Sequence, residues 1–161
     1  MAKPPRDRSN APGRTYFVTA STWERRMLFQ SRLLADLFIE TLFCYRANHK
    51  YELHEFVLMP NHFHILLTPA RDITLERAMQ LIKGGSSHRA GQVVGRKMEI
   101  WQRGYVDHRI RNAADYLHHR EYIRANPVRA GLAESPEAYA YGSAYDGFQL
   151  DPVPQGLKPR E

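Results

Sequence analysis

At 161 residues, with 43% hydrophobic and 25% charged residues, the chain fits one compact domain with a real core and leaves little for a second. A formal charge of +6 favours a polyanionic partner such as nucleic acid. The single cysteine, Cys44, excludes an internal disulfide framework or thiolate zinc site, and no apolar run approaches the roughly 20 residues that span a bilayer, so a soluble cytoplasmic protein is expected.

Residues 1–13 and 146–161 are rich in proline and lack periodicity, and are expected to be flexible tails around one domain spanning 14–145. The run Tyr16-Phe17-Val18-Thr19-Ala20 is rich in β-formers and predicts a first strand. From Ser31 to about His49, Leu33, Leu34, Leu37, Phe38, Thr41, Leu42 and Tyr45 recur at helical spacing, and Cys44 falls inside this helix as a packing residue. Residues 51–59 and 62–68 predict two strands joined in a hairpin by Met59-Pro60-Asn61, since Pro presets φ for a turn and Asn tolerates the next position. Thr74 is an N-cap for a second helix with Leu75, Met79 and Ile82 as its stripe, weakening at Gly84-Gly85. The stretch from Lys83 to Arg89 reads either as a phosphate cradle or as a solvated, helix-breaking turn.

A fourth strand is expected over 100–110, carrying Trp101 and Tyr105. Asn112 with Asp115 resembles a capping box and opens a third helix running to about Asn126, where Asn126-Pro127 itself reads as the cap and first position of a short helix ended by Gly131. The order βαββαβα predicts an α+β, ferredoxin-like split βαβ fold, an antiparallel sheet with helices on one face.

The chemistry begins at Met59-Pro60-Asn61-His62-Phe63-His64. Side chains alternate along a strand, so His62, His64 and Leu66 share one face while Phe63, Ile65 and Leu67 take the other. Two neutral imidazoles at this spacing can converge on one cation. Such pairs also arise by chance in a chain with 8 histidines, and the remaining ligands must come from elsewhere. At 100° per residue, the third helix puts Ala113, Tyr116, Leu117, Arg120 and Ile123 on one side and Tyr122 about opposite, with His118 and Asn126 near it. Alone, Tyr122 reads as an ordinary exposed tyrosine.

Together with that histidine segment, Glu121-Tyr122-Ile123-Arg124-Ala125-Asn126-Pro127-Val128-Arg129-Ala130-Gly131-Leu132 resembles the REP-associated tyrosine transposases, members of the single-tyrosine HUH endonucleases (His, hydrophobic, His) and of the IS200-like group. The resemblance runs in order from Tyr16 to about Tyr145, and Trp101-Gln102-Arg103-Gly104-Tyr105 is similar to the family's strand before the tyrosine helix. It implies a single-stranded DNA endonuclease and strand transferase in which Tyr122 attacks a backbone phosphorus, leaving a 5′-phosphotyrosine and a free 3′-hydroxyl that can later rejoin the DNA. It also implies a divalent ion, magnesium or manganese, on His62, His64 and Asn126, acting as a Lewis acid. The expected partner is single-stranded DNA beside a REP-like hairpin, bound by a monomer, with a helix-swapped dimer as the alternative.

For DNA contacts, Lys83, Arg89, Arg103, Arg109, Arg111, Arg124 and Arg129 offer phosphate partners, and Trp101 and Tyr105 offer rings for a base. A phenol ordinarily ionises near pH 10, so an attacking tyrosine must lose its proton, and His118, one turn before Tyr122, is a candidate acceptor. The competing reading is a non-catalytic nucleic-acid-binding module of ferredoxin-like fold, which would not need His62, His64 and Tyr122 together. A water-using hydrolase would need a carboxylate base near the ion, and the sequence shows none.

Overall fold

The structure, a computed structural model, describes residues 13–158; residues 1–12 and 159–161 of the two expected tails lie outside the described residues. The elements are β1 (Tyr16–Ser21), α1 (Arg32–Ala47), β2 (Tyr51–Met59), β3 (His62–Pro69), α2 (Leu75–Val94), β4 (Val106–Arg109) and α3 (Ala113–Arg129). They form an α+β fold with a four-stranded antiparallel sheet in the order β2-β3-β1-β4. No helix among the described residues is long and apolar enough to cross a membrane.

Alternation along the strands gives the sheet two distinct faces. Val18, Ala20, Phe63, Ile65 and Leu67 are buried in the main core with Phe38 and Leu42 of α1 and Met79 and Ile82 of α2. The single helical face expected from sequence holds for α1 and α2, whereas α3 packs on the opposite face, where Tyr116 and Ile123 join Val57, Met59 and Leu66 in a second cluster.

The cross-strand register orders that second face into rows. Glu55, Leu66, Phe17 and His108 make one row, Val57, His64, Thr19 and Val106 the next, and Met59, His62 and Ser21 the third. Glu55 reaches this face because β2 shifts register between Leu53 and Glu55. Leu53 still belongs to the main core, but beyond the shift Phe56 and Leu58 take that side while Val57 and Met59 take the other. A bulge adds one residue and so inverts the alternation, re-aiming a charged side chain away from the apolar core.

Four further expectations need correction. Gly84-Gly85 neither breaks α2 nor cradles phosphate: the helix continues to Val94, and a Cβ on Gly85 would lie 2.6 Å from the Tyr45 hydroxyl, so glycine is there to let α1 and α2 approach. The strand expected over 100–110 is split, with Trp101 bridging only Thr22, Gly104 turning at φ 77°, and β4 confined to Val106–Arg109. Pro127 does not open a new helix but sits inside the last part of α3, ahead of Gly131 at φ 73°. The chain from 146 is no free tail through residue 158: Phe148 stacks on Phe43, Asp151 accepts two bonds from Arg46 and one from the Leu53 N–H, and Leu157 packs on the second cluster. Just before it, residues 139–143 bond to Phe56 and Leu58 and cover the outer edge of β2, which blunts an open strand edge.

Phe63 is fully buried against Phe38 and Trp101. Phe63→Ala should cost about 3–5 kcal/mol in denaturant unfolding. A well-folded Phe63→Ala protein of unchanged stability contradicts the face assignment.

Candidate active site

α3 buries only Tyr116, Ile123, Asn126 and Pro127, so apolar burial contributes little to its placement. Polar anchors at the two ends of one sheet row do more. On β2, the buried Glu55 carboxylate accepts from Arg124 at 3.0 Å, pairs with Arg120 at 3.3 Å, and takes a short hydrogen bond from the Ser143 hydroxyl. On β4, His108 Nε2 lies 2.9 Å from Asp115, whose carboxylate also accepts from the Arg111 N–H. Arg120 and Arg124 are one turn apart, so pulling both onto Glu55 sets the roll of the helix. The expected stripe therefore shifts: Leu117 is 38% exposed while Asn126 is buried.

This roll carries Tyr122 to the flank of the docked face, 37% exposed, and not opposite the core as the sequence projection had it. Its ring meets His64 edge-on at 5.3 Å and Phe17 at 5.9 Å. His62 and His64 stand 4.9 Å apart, ring centre to ring centre. The Arg129 guanidinium lies over the Tyr122 ring at 4.5 Å. Thus His62, His64, Tyr122 and Arg129 are brought together from β3 and α3, and Asn126 is buried one turn along from Tyr122.

Both imidazoles are held by their Nδ1 atoms. His62 Nδ1 lies 2.7 Å from Asn61 Oδ1, an acceptor, which places the proton on Nδ1 and leaves Nε2 with its lone pair. His64 Nδ1 lies 2.6 Å from the Thr19 hydroxyl, which can accept from an Nδ1–H and so leave Nε2 with its lone pair. Burial pushes His64 down from its ordinary 6.5 to about 3, with His62 and Arg129 adding to the effect. Burial and Arg25, a residue held at φ 55°, lower His62 as well. Both rings are therefore neutral at neutral pH. Neutral rings, each oriented by a bond at its other nitrogen, are what a divalent cation requires, so the donor set fits a metal.

The remaining candidates are dispersed. Trp101 is committed to the core, packed on Phe29, Phe38 and Phe63 with its indole N–H donated to Ser86, which corrects its expected role as a base-stacking platform. Lys83 donates to the carbonyls of Gln102 and Gly104, Arg89 lies 3.3 Å from Cys44 Sγ, and Arg124 is taken by Glu55. Arg103 and Arg111 are exposed, with Tyr105 and Arg109 half-buried nearby in sequence. His118 is exposed and its ring meets His119, not Tyr122. Sequence reasoning missed Phe17, Thr19, Arg25 and Glu55; only Glu55, a carboxylate inside an apolar strand, carried a readable signal.

The family model for "Transposase IS200 like" matches residues 13–126, which include both histidines, Tyr122 and Asn126. The chain belongs to the IS200-like transposase family. Within it, the chain is similar to a REP-associated tyrosine transposase of Escherichia coli K12, 29% identical over 151 residues that cover 91% of this chain and 83% of the relative. An uncharacterised Haemophilus influenzae protein is 33% identical over 95 residues, covering 46% of this chain and 53% of its own length. A solved REP-associated tyrosine transposase bound to a REP hairpin shares the fold over 100% of both chains, at a TM-score of 0.74 and 22% identity.

Two outcomes follow for this transposase-family chain. Glu55→Gln leaves two guanidinium groups, 32% and 29% exposed, without their buried counter-charge and should cost about 1–3 kcal/mol, read by urea unfolding; a change under about 0.5 kcal/mol contradicts the anchoring role. The two histidine substitutions should differ in their effect on stability. His64 is 5% exposed and bonded to Thr19, so His64→Ala should cost about 1–3 kcal/mol, whereas the part-exposed His62→Ala should stay within about 1 kcal/mol.

Proposed function

We propose that the chain is a metal-dependent single-stranded DNA endonuclease and strand transferase that acts beside repeat hairpins through a 5′-phosphotyrosine. The observation that carries this is the meeting of Tyr122 with the neutral His62 and His64 pair under the Arg129 guanidinium. The hairpin bound by the similar transposase supports hairpin DNA as the partner.

Tyr122 Oη forms a bond to a backbone phosphorus while the phosphorus–O3′ bond breaks; the phenol proton leaves, and the departing strand ends as a 3′-hydroxyl. Attack of that or another 3′-hydroxyl on the phosphotyrosine reverses the step and restores the phenol. Each transesterification exchanges one phosphoester for another, so no nucleotide energy source is consumed. A divalent cation on His62, His64 and Asn126 would supply Lewis-acid neutralisation of the non-bridging oxygens, with manganese suiting the two nitrogens better than magnesium. Arg129, lying over the ring face, stabilises the negative charge that develops on the phenol oxygen. Phe17 packs on both His64 and Tyr122 and keeps their rings in register. Arg103, Arg109 and Arg111, with Tyr105, carry the phosphate and base contacts to the hairpin. With α3 docked on its own sheet by Glu55, the chain works as a monomer.

The test is covalent capture. An oligonucleotide carrying a hairpin and cleavable flank, labelled on the 3′ side of the scissile phosphate, should give a denaturation-resistant adduct in manganese. Tyr122→Phe keeps the ring and its packing, so it should bind the DNA and form no adduct. Cleavage without any adduct points to water as nucleophile; an adduct surviving in Tyr122→Phe, mapped to Tyr116, overturns the assignment.

A further inference from the structure

The anchor on β4 has a composition that docking a helix does not require. His108, Asp115 and His119 bring two imidazoles and a carboxylate together, each offering one ligand atom within 4.8 Å of the others. His108 Nε2 lies 3.1 and 2.9 Å from the two oxygens of Asp115, and His119 Nδ1 lies 3.1 Å from Oδ1 and 2.8 Å from the Asp115 carbonyl oxygen. The two imidazoles stack at 4.7 Å with planes 21° apart. One histidine would satisfy the carboxylate, which already accepts the Arg111 N–H. A second, stacked on the first, adds a nitrogen donor aimed at the same point.

We propose that His108, Asp115 and His119 form a second cation site, distinct from His62, His64 and Asn126, that binds a first-row transition ion of the zinc class and pins the tyrosine helix to β4. Two imidazoles and one carboxylate with an open fourth position are a known zinc donor set, whereas magnesium prefers oxygen ligands. Donors around a four-coordinate ion with bonds near 2.0–2.2 Å stand roughly 3.3 Å apart, close to the 2.9–3.1 Å between Asp115 and each imidazole nitrogen, and the two nitrogens lie within 4.8 Å of each other. The bound ion takes the place of the hydrogen bonds to Asp115: in each neutral ring the proton moves from the ligating nitrogen to the other one, which frees a lone pair for the ion with no net proton loss from the ring. His108 is 44% exposed on its side chain, which gives the ion an entry path.

The position gives the site a consequence. His119 packs on Phe17 at 4.7 Å, and Phe17 is the ring that touches both His64 and Tyr122. An ion there fixes α3 at the opposite end of the row from Glu55 and holds Phe17 between the two metal-binding groups. This inference is independent of the nuclease chemistry.

Calorimetric titration of the full chain with zinc chloride tests it. The wild type should take two equivalents, His62→Ala one, and His108→Gln/His119→Gln one, with the lost affinity at least about 100-fold weaker. Long-range proton–nitrogen spectra of the wild-type histidine rings need no variant: zinc should move the ring nitrogens of His108 and His119 as well as those of His62 and His64. Two equivalents surviving in His108→Gln/His119→Gln, or ring signals of His108 and His119 that zinc leaves unmoved, reduce the cluster to a hydrogen-bonded network and overturn the proposal.

Discussion

Burying the Glu55 carboxylate is the constraint on which the α3 face depends. A charge taken out of water costs several kcal/mol unless it is paired and hydrogen-bonded, and Glu55 is satisfied from two separate parts of the chain. Arg120 and Arg124 come from α3, and the Ser143 hydroxyl comes from the segment that covers the edge of β2. Because α3 has so few buried apolar residues, its roll follows these ion pairs more than its hydrophobic stripe. The bulge after Leu53 is the condition for all of this, since an unbroken strand would aim Glu55 into the apolar core.

From that anchor the candidate site follows by contact. Rolling α3 towards β2 puts Tyr122 at its flank, where Phe17 stacks on His64 at 5.3 Å and meets the phenol ring. Thr19 and Asn61 bond the Nδ1 atoms of the two histidines, and both belong to secondary structure or its tight turn, so the rings are aimed before any ligand arrives. Preorganisation of this kind lets donors stabilise a charged transition state without rearranging at the moment of reaction.

The strands and helices were readable because their periods differ: the two-residue period put His62 and His64 on one face and Phe63 on the other, and the register confirms it. Three features were not readable, each because it depends on contacts between distant residues. The roll of α3 is set by Glu55, more than sixty residues away in sequence, so an apolar projection gave the wrong centre for its buried face. Glycines usually weaken helices, and only the approach of Tyr45 explains why Gly85 belongs inside one. The proline-rich end packs through isolated side chains such as Phe148 and Asp151, which leave no periodic trace. Of the candidate site, His62, His64 and Tyr122 were visible as a constellation only through the resemblance of two separated motifs.

Within one chain, Glu55 docks α3, and with it Tyr122, against that chain's own histidine pair. Mixing Tyr122→Phe protein with His62→Ala/His64→Ala protein and measuring covalent DNA adduct in manganese tests it directly. Each variant lacks one half of the site, so helices docked within their own chains predict no adduct in the mixture. An adduct that appears only on mixing, carried by the His62→Ala/His64→Ala chain, means that α3 acts on a partner's histidines and contradicts docking within one chain.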